Sequence, residues 1–182
     1  MAINILRKTL DWVSGATYQK YDIVKSNNFT YYALSSHSGR TDLPKNDTNF
    51  WGGRLIDPFG STLSETNSIE RPYFFFLPSY GISTSVEPKV RLTKFGDGYE
   101  QRIQDGINSS LLKLNISFSS RSSMETAAIL NFLKERAAVE SFLFTPPEPY
   151  ALLRNFVCRS WVHTIVFFDN NDITTTFEQV PF

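Results

Sequence analysis

Few residues in this sequence have the type and spacing to do chemistry. His37 and His163 are the natural proton carriers or metal ligands. They lie far apart, with no HxxxH or HxH spacing, and the single cysteine, Cys158, has no second thiolate with which to share a metal. Serines are plentiful, but none stands in a GxSxG elbow that would present it as a nucleophile. Each histidine is therefore read as structural or solvated. Cys158, inside the apolar run with Phe156 and Val157, is read as a small buried hydrophobe.

Two short segments imitate ligand loops. Gly96-Asp97-Gly98 resembles part of a phosphate loop, but no GK[ST] and no helix start follow it. Asp169-Asn170-Asn171-Asp172 resembles a fragment of a calcium loop, yet it lacks the EF-hand spacing and the distal glutamate. Both read better as turns. Asp57, Glu65 and Glu70 fall in a polar stretch and are expected to be solvated. No paired carboxylates stand in a context that suggests glycoside hydrolysis. The expectation is no catalytic residue, no metal, no cofactor and no enzymatic activity.

The elements that would position any site are mainly strands. The 182 residues suffice for one ordinary domain or two small ones, and 16 Phe and 8 Tyr lean toward strands over helices. Lys plus Arg and Asp plus Glu both number 18, so there is no basic excess of the kind that sequence-specific nucleic-acid binding needs. Met1 to Leu10 lacks the apolar core of a signal peptide, and no uninterrupted apolar stretch approaches the roughly 20 residues of a membrane span. A soluble protein made in a reducing cytoplasm is expected.

Three zones follow one another: an aromatic-rich module over 1–56, a Pro/Gly/Ser-containing linker over 57–70 (DPFGSTLSETNSIE), and a larger domain over 71–182. In the last, Lys89–Phe95 and Tyr99–Ile103 flank Gly96-Asp97-Gly98, the pattern of a β-hairpin. Leu111–Ser119 alternates, with Leu112, Leu114, Ile116 and Phe118 on one face. Ser122 to Glu125 fits a capping box opening a helix to about Ala138, with Thr126, Ile129, Leu130, Leu133 and Ala137 at helical spacing. Ser141–Thr145, Arg154–Ser160, Trp161–Phe168 and Ile173–Val180 read as further strands. Strands on both sides of one helix predict a mainly β fold, a β-sandwich or barrel with one flanking α-helix, plus the small N-terminal β module.

The run Lys94-Phe95-Gly96-Asp97-Gly98-Tyr99-Glu100-Gln101-Arg102, followed by Gly106-Ile107-Asn108, resembles the FGDGY-x-QR…GLN signature of the phage minor tail protein M family. Asn131-Phe132-Leu133-Lys134 leading to Ser141-Phe142-Leu143-Phe144-Thr145-Pro146-Pro147 is similar to the family's FL…SFLWTPP stretch, with Phe144 in place of Trp. Cys158 with Trp161 resembles its C-x-x-W, and Phe177-Glu178-Gln179-Val180 matches its closing FEQV. The four motifs fall in order over 88–182. The resemblance implies a fold like that of tail-tube subunits, and a structural subunit of the tail tip in the virion of a long-tailed bacteriophage. It also implies a homo-oligomer, a hexameric ring that joins the tail tube protein to other tail-tip, hub or baseplate proteins. A closed ring uses heterologous contacts, and strands can extend across subunits by edge pairing. Phe95, Gly96, Asp97, Gly98 and Tyr99 are the candidate interface hairpin. Pro146 and Pro147, which halt a strand, are a second candidate contact.

The first zone is an addition to that pattern. Trp12, Tyr18 to Val24, Tyr31 to Leu34, Pro44 and Trp51 are similar in order to the W…Y-x-x-G-D-x-V…Y-x-A…P…W pattern of small carbohydrate-binding modules of the chitin-binding type, with Tyr21 standing where that pattern has Gly. The resemblance implies an alternative role as an accessory adhesion protein, in which Trp12, Tyr18 and Tyr31 stack on a cell-surface glycan. The competing expectation is that the large aromatics, Tyr32 and Trp51 first, form the core of a domain too small to be stable without them.

Overall fold

The computed structural model describes residues 9–56 and 70–181. Strands β1 (Leu10–Asp11), β2 (Ile23–Ser26), β3 (Phe29–Ala33) and β4 (Trp51–Gly52) form a small sheet in that order. β5 (Arg54–Ile56) then pairs antiparallel with β6 (Glu70–Pro72). The larger sheet comprises β7 (Ser83–Val86), then, beyond a separate hairpin of β8 (Val90–Lys94) and β9 (Glu100–Gln104), β10 (Leu112–Arg121), β11 (Phe142–Phe144), β12 (Arg154–Phe167) and β13 (Asn170–Gln179), with helix α1 (Ser123–Arg136) between β10 and β11. Its order is β11-β12-β13-β10-β7, antiparallel throughout. A parallel bridge from Tyr73 to Leu143 links β6's end to β11. Among the described residues the fold is mainly β with one α-helix, as the strand and helix patterns predict.

Alternation explains the central strands. Leu112, Leu114, Ile116 and Phe118 of β10 point into the core, together with Ile173 and Phe177 of β13. The helix covers this face with Ala128, Ile129, Phe132 and Leu133. Ser122 caps it, its hydroxyl accepting from Glu125 N at 3.3 Å. The reciprocal half of the expected capping box is replaced: the Glu125 carboxylate accepts from Arg121 at 2.9 Å. Ala137 closes the helix in a left-handed conformation (φ 46°).

Two expected strands, 154–160 and 161–168, are one. The register of β12 on β13 shifts between Cys158 and Ser160, and this bulge moves the inward-facing positions from even numbers (Phe156, Cys158) to odd ones (Trp161, His163). A period-2 reading breaks at such a shift although the ladder continues.

Phe74 is the hub of the core, with the rings of Phe76, Phe118, Phe132, Phe142, Phe144 and Phe177 all centred within 6 Å of its own. The first sheet joins this core through one face of β2 and β3: Ile23 and Tyr32 belong to the same apolar cluster as Phe74 and Phe132. Tyr32 donates to Asn131 Oδ1 of the helix at 3.0 Å, and Thr30 donates to Glu135. The opposite face holds a second cluster of Tyr18, Val24, Tyr31, Ala33 and Trp51. Tyr21 has φ 70°, the left-handed conformation that favours glycine, at the position where the carbohydrate-binding pattern has Gly.

Candidate assembly interface

β7 and β8 are nearly one strand, interrupted at Glu87-Pro88-Lys89, and β9 returns into β10. Val86 pairs with Leu112 and Val90 with Gln104, so the two pairs form a single long ribbon with extra residues bulged out on the returning side. Lys89 N donates to Ser109 O at 2.7 Å and Asp105 N to Lys89 O at 2.9 Å, stitching the bulge. The ribbon leaves the sheet at this point. From Val86 to Asn108 every residue is exposed, among them Val90, Leu92, Phe95, Tyr99, Ile103 and Ile107. β8 and β9 pair only with each other. A two-stranded hairpin with both faces in water is marginal by itself, so this ribbon lacks the packing partner its apolar residues call for.

The turn is set by local chemistry. Asp97 (φ 66°) and Gly98 (φ 81°) both take the left-handed conformation, which Asp-Gly supplies at little cost, and Phe95 N donates to Tyr99 O at 2.8 Å. Phe95 and Tyr99 stand over half exposed on either side of it. Arg91–Asp105 (3.3 Å) and Arg102–Glu100 are surface ion pairs along the ribbon and contribute little to its stability.

Pro146 and Pro147 border a groove of about 320 Å³ with Pro78, Tyr80, Ile82 and Tyr150. Thr84 and Leu114, at the ribbon's base, also line it, so the structure brings the two prolines to the root of the ribbon and leaves its tip elsewhere.

The aromatic residues singled out in the first zone are placed otherwise than a stacking platform requires. Tyr18 and Tyr31 are 6% and 4% exposed, inside the second cluster with Trp51, and Trp12 packs partly buried against it. Sugar stacking needs open ring faces; these two tyrosines are core side chains. Tyr31 donates to Glu70 Oε2 at 3.1 Å, and burial, with the Glu70 carboxylate beside it, pushes its hydroxyl pKa up. Glu70, expected to be solvated, is instead the partner of Tyr31 and Arg54 and opens β6. Asp57 and Glu65 lie outside the described residues.

The remaining chemical candidates are accounted for. His37 packs edge-on against Trp51 and Phe50. His163 Nε2 lies 3.1 Å from Asn171 Oδ1. Cys158 is buried, 2.9 Å from Thr175 Oγ1, and burial pushes its thiol pKa up, away from a reactive thiolate. Of the Asp169–Asp172 segment, expected to be a turn, only Asp169 is in the turn, with Phe168; Asn170 to Asp172 open β13, and the two carboxylates cap other backbone, Asp169 accepting from Ser123 N (2.7 Å) and Asp172 from Ser120 N (2.8 Å). No group of three or more metal-ligating side chains occurs among the described residues, and no helix among them is long and apolar enough to cross a membrane.

A feature not singled out in the sequence lies at the far end of β12 and β13. Val162, Ile165, Val166, Phe167 and Phe168 are each more than half exposed. Their run reads as a core strand, and only the length of β12 beyond the helix start carries them past the core.

A mainly β body that projects a ribbon dotted with exposed apolar residues has the build of a subunit that assembles through β-structure. The Phage minor tail protein family matches residues 73–181. The chain is similar to Tail tip protein M of Escherichia phage lambda, 33% identical over 101 residues that cover 55% of this chain and 89% of that protein. It is similar also to Tail tip protein M of Escherichia phage N15, 32% identical over 107 residues, 56% of this chain and 91% of that one. Among solved structures, a chain from the tail of an empty GTA particle, computed with C6 symmetry, aligns with a TM-score of 0.33 and 12% identity over 56% of this chain and 75% of that one. The chain belongs to the phage minor tail protein family, and its role is structural, within the phage tail.

Proposed function

We propose that this chain is a non-enzymatic subunit of the tail tip of a long-tailed phage, assembled as a hexameric ring between the tail tube and the more distal tip proteins. The β8–β9 ribbon is its principal contact with neighbouring chains. The observation that carries this reading is the ribbon itself: a hairpin exposed on both faces, with Val90, Leu92 and Ile103 along it and Phe95 and Tyr99 at its turn. Such a strand pair gains most by adding to another sheet or covering a neighbour's apolar surface. The lambda and N15 relatives are tail tip proteins, which supports the same position here. Six-fold symmetry comes from the family resemblance.

In this reading the first 56 residues form an appended module that braces the body. Its β3 is buried on both faces, against the helix by Tyr32 and within its own cluster by Tyr31. Electron microscopy of isolated tails tests the proposal. A six-fold ring of this chain next to the tube is expected; its absence from tails, or a lone copy at a fibre tip, would overturn it.

A further inference from the structure

The apolar end of β12–β13 has no place in the ribbon contact. β10 and β13 run antiparallel, with Leu112 N donating to Gln179 Oε1 and Arg121 lying opposite Asn171. The β8–β9 ribbon therefore leaves the sheet at the Leu112 end, and the β12–β13 turn stands at the other. Val162 and Ile165 lie on opposite faces of β12, and Phe167 and Phe168, each about three-quarters exposed at the turn, together present on the order of 300 Å² of apolar surface. That is the size of the largest apolar patch on an ordinary monomer, and a substantial share of the ~800 Å² per partner of a standard interface. The patch is also held in place. Asp169, Asn171 and Asp172 fasten the turn to the segment Ser120 to Ser123 at the helix start, through Ser123 N, Arg121 O and Ser120 N. Little ordering entropy remains to be lost on docking.

The same chain carries a matching recess. A cavity of about 310 Å³ opens where β3 to β6 meet, lined by the accessible Leu55, Tyr73 and Phe75 and by Lys45, with the buried Tyr31 and Trp51 behind them. An apolar cavity of ~150 Å³ accommodates one benzene-sized ring, so this one has room for two phenyl groups. Charge agrees with shape. Between residues 160 and 176 the arm has two carboxylates, Asp169 and Asp172, and no Lys or Arg. The recess has two cations, Lys45 and Arg54, against the single carboxylate Glu70. The groove at Pro146 and Pro147 offers only Glu148, which the arm's carboxylates would meet as a like charge.

Intramolecular contact is ruled out by length. Tyr73, a wall of the recess, bridges to Leu143, which pairs with Asn155 of β12. Asn155 and Phe167 are twelve positions apart on that strand, roughly 40 Å at ~3.3 Å per residue. The arm of one chain can reach only the recess of another.

We propose that Phe167 and Phe168 of each chain seat in the Leu55–Tyr73–Phe75 recess of a second copy. The contact is heterologous, one surface meeting a different one, which is the kind that repeats around a ring. It rests on the reading that the chain assembles with copies of itself, and adds to the ribbon a second, separable contact. It also gives the first module a role in assembly.

The test mixes two single-substitution chains at high concentration, Phe168→Cys and Thr48→Cys, under mild oxidation; Thr48 is an exposed residue at the recess, and the native Cys158 is buried. The expected product is the mixed disulfide dimer in clear excess over either self-pair, and a ladder of multimers from the double variant. Self-pairs alone, or no cross-link, would overturn the proposal. A Phe167→Ser/Phe168→Ser chain alters only exposed side chains and should fold normally, with self-association by sedimentation at least roughly tenfold weaker. Self-association of that variant at the unaltered strength would refute the recess contact while leaving the ribbon reading intact, since the latter stands or falls on substitutions in β8–β9.

Discussion

Leu92→Asp separates assembly from folding more cleanly than any other change on the ribbon. Leu92 is 53% exposed, so about half of its surface is still available to a partner. Full burial of a leucine is worth ~1.5–3 kcal/mol, so covering the remaining half contributes roughly 1 kcal/mol per contact. An aspartate in its place adds the desolvation of a carboxylate, several kcal/mol where no partner is provided. Together these weaken each contact by about 3–5 kcal/mol, on the order of a hundred- to several-thousandfold. Within the folded chain the cost is small. The residue paired across from Leu92 is Arg102, so a carboxylate there meets an opposite charge, worth ~0.2–1 kcal/mol. The variant should melt within a few degrees of the parent, self-associate far more weakly by sedimentation, and be missing from tails assembled in its presence. Normal incorporation into tails would refute the ribbon as the principal contact. A melting temperature lowered by ten degrees would show that Leu92 packs inside its own chain.

Two further substitutions probe the body. Phe74→Ala removes the ring on which six other phenylalanines converge, and should destabilise the fold by ~3–5 kcal/mol, read by denaturant unfolding; a loss below ~1 kcal/mol would mean the core recloses around the gap. Tyr32 is fully buried, and burial pushes its hydroxyl pKa far up. Its folded pKa lies above the unfolded value of about 10, so stability is fully present below pH 10 and declines as pH rises beyond it. Tyr32→Phe should flatten part of that alkaline decline while costing ~1–3 kcal/mol at neutral pH for the unpartnered Asn131 Oδ1; an unchanged alkaline limb would point to Tyr31 as the main titrating group.

What was legible in the sequence follows from which signals are local. Leu112, Leu114, Ile116 and Phe118 alternate without interruption, and β10 forms where they predict. Ser122 marks the start of the helix because an N-cap is a contact between residues three apart. Asp97-Gly98 marks the hairpin because only the turn demands positive φ there. Other features depend on contacts across the fold. Tyr73 to Phe76 is an unbroken aromatic run, so nothing local says that Phe74 and Phe76 face the main core. Tyr18 and Tyr31 have the same types and order whether they line a ligand platform or fill a core. Trp51 and His37 close over Tyr18 from distant positions, and Tyr31 is buried in the same cluster as Trp51. The bulge at Arg159 is likewise set by pairing with β13 and leaves no mark in the local pattern.

The face of the sheet away from the helix bears on where contacts form. Glu178 sits between Lys113 (3.2 Å) and Arg159 (2.7 Å), and hydrogen bonds from Arg159 and then Lys113 hold its carboxyl below the usual range. Beside it, Thr176 donates to Asn115 Oδ1, and Asn115 Nδ2 donates to Ser83. This row spans β12, β13, β10 and β7 with side chains that satisfy one another and expose no large apolar group. A partner docking flat on it would displace water from polar groups already paired and gain no apolar burial in return. Association through this face is therefore disfavoured, whereas the two ends of the same strands carry the exposed leucine, isoleucine, valine and phenylalanine side chains. The polarity of the middle and the apolarity of the ends belong to one design: it directs contacts to the ribbon and the arm, and leaves the sheet face to water.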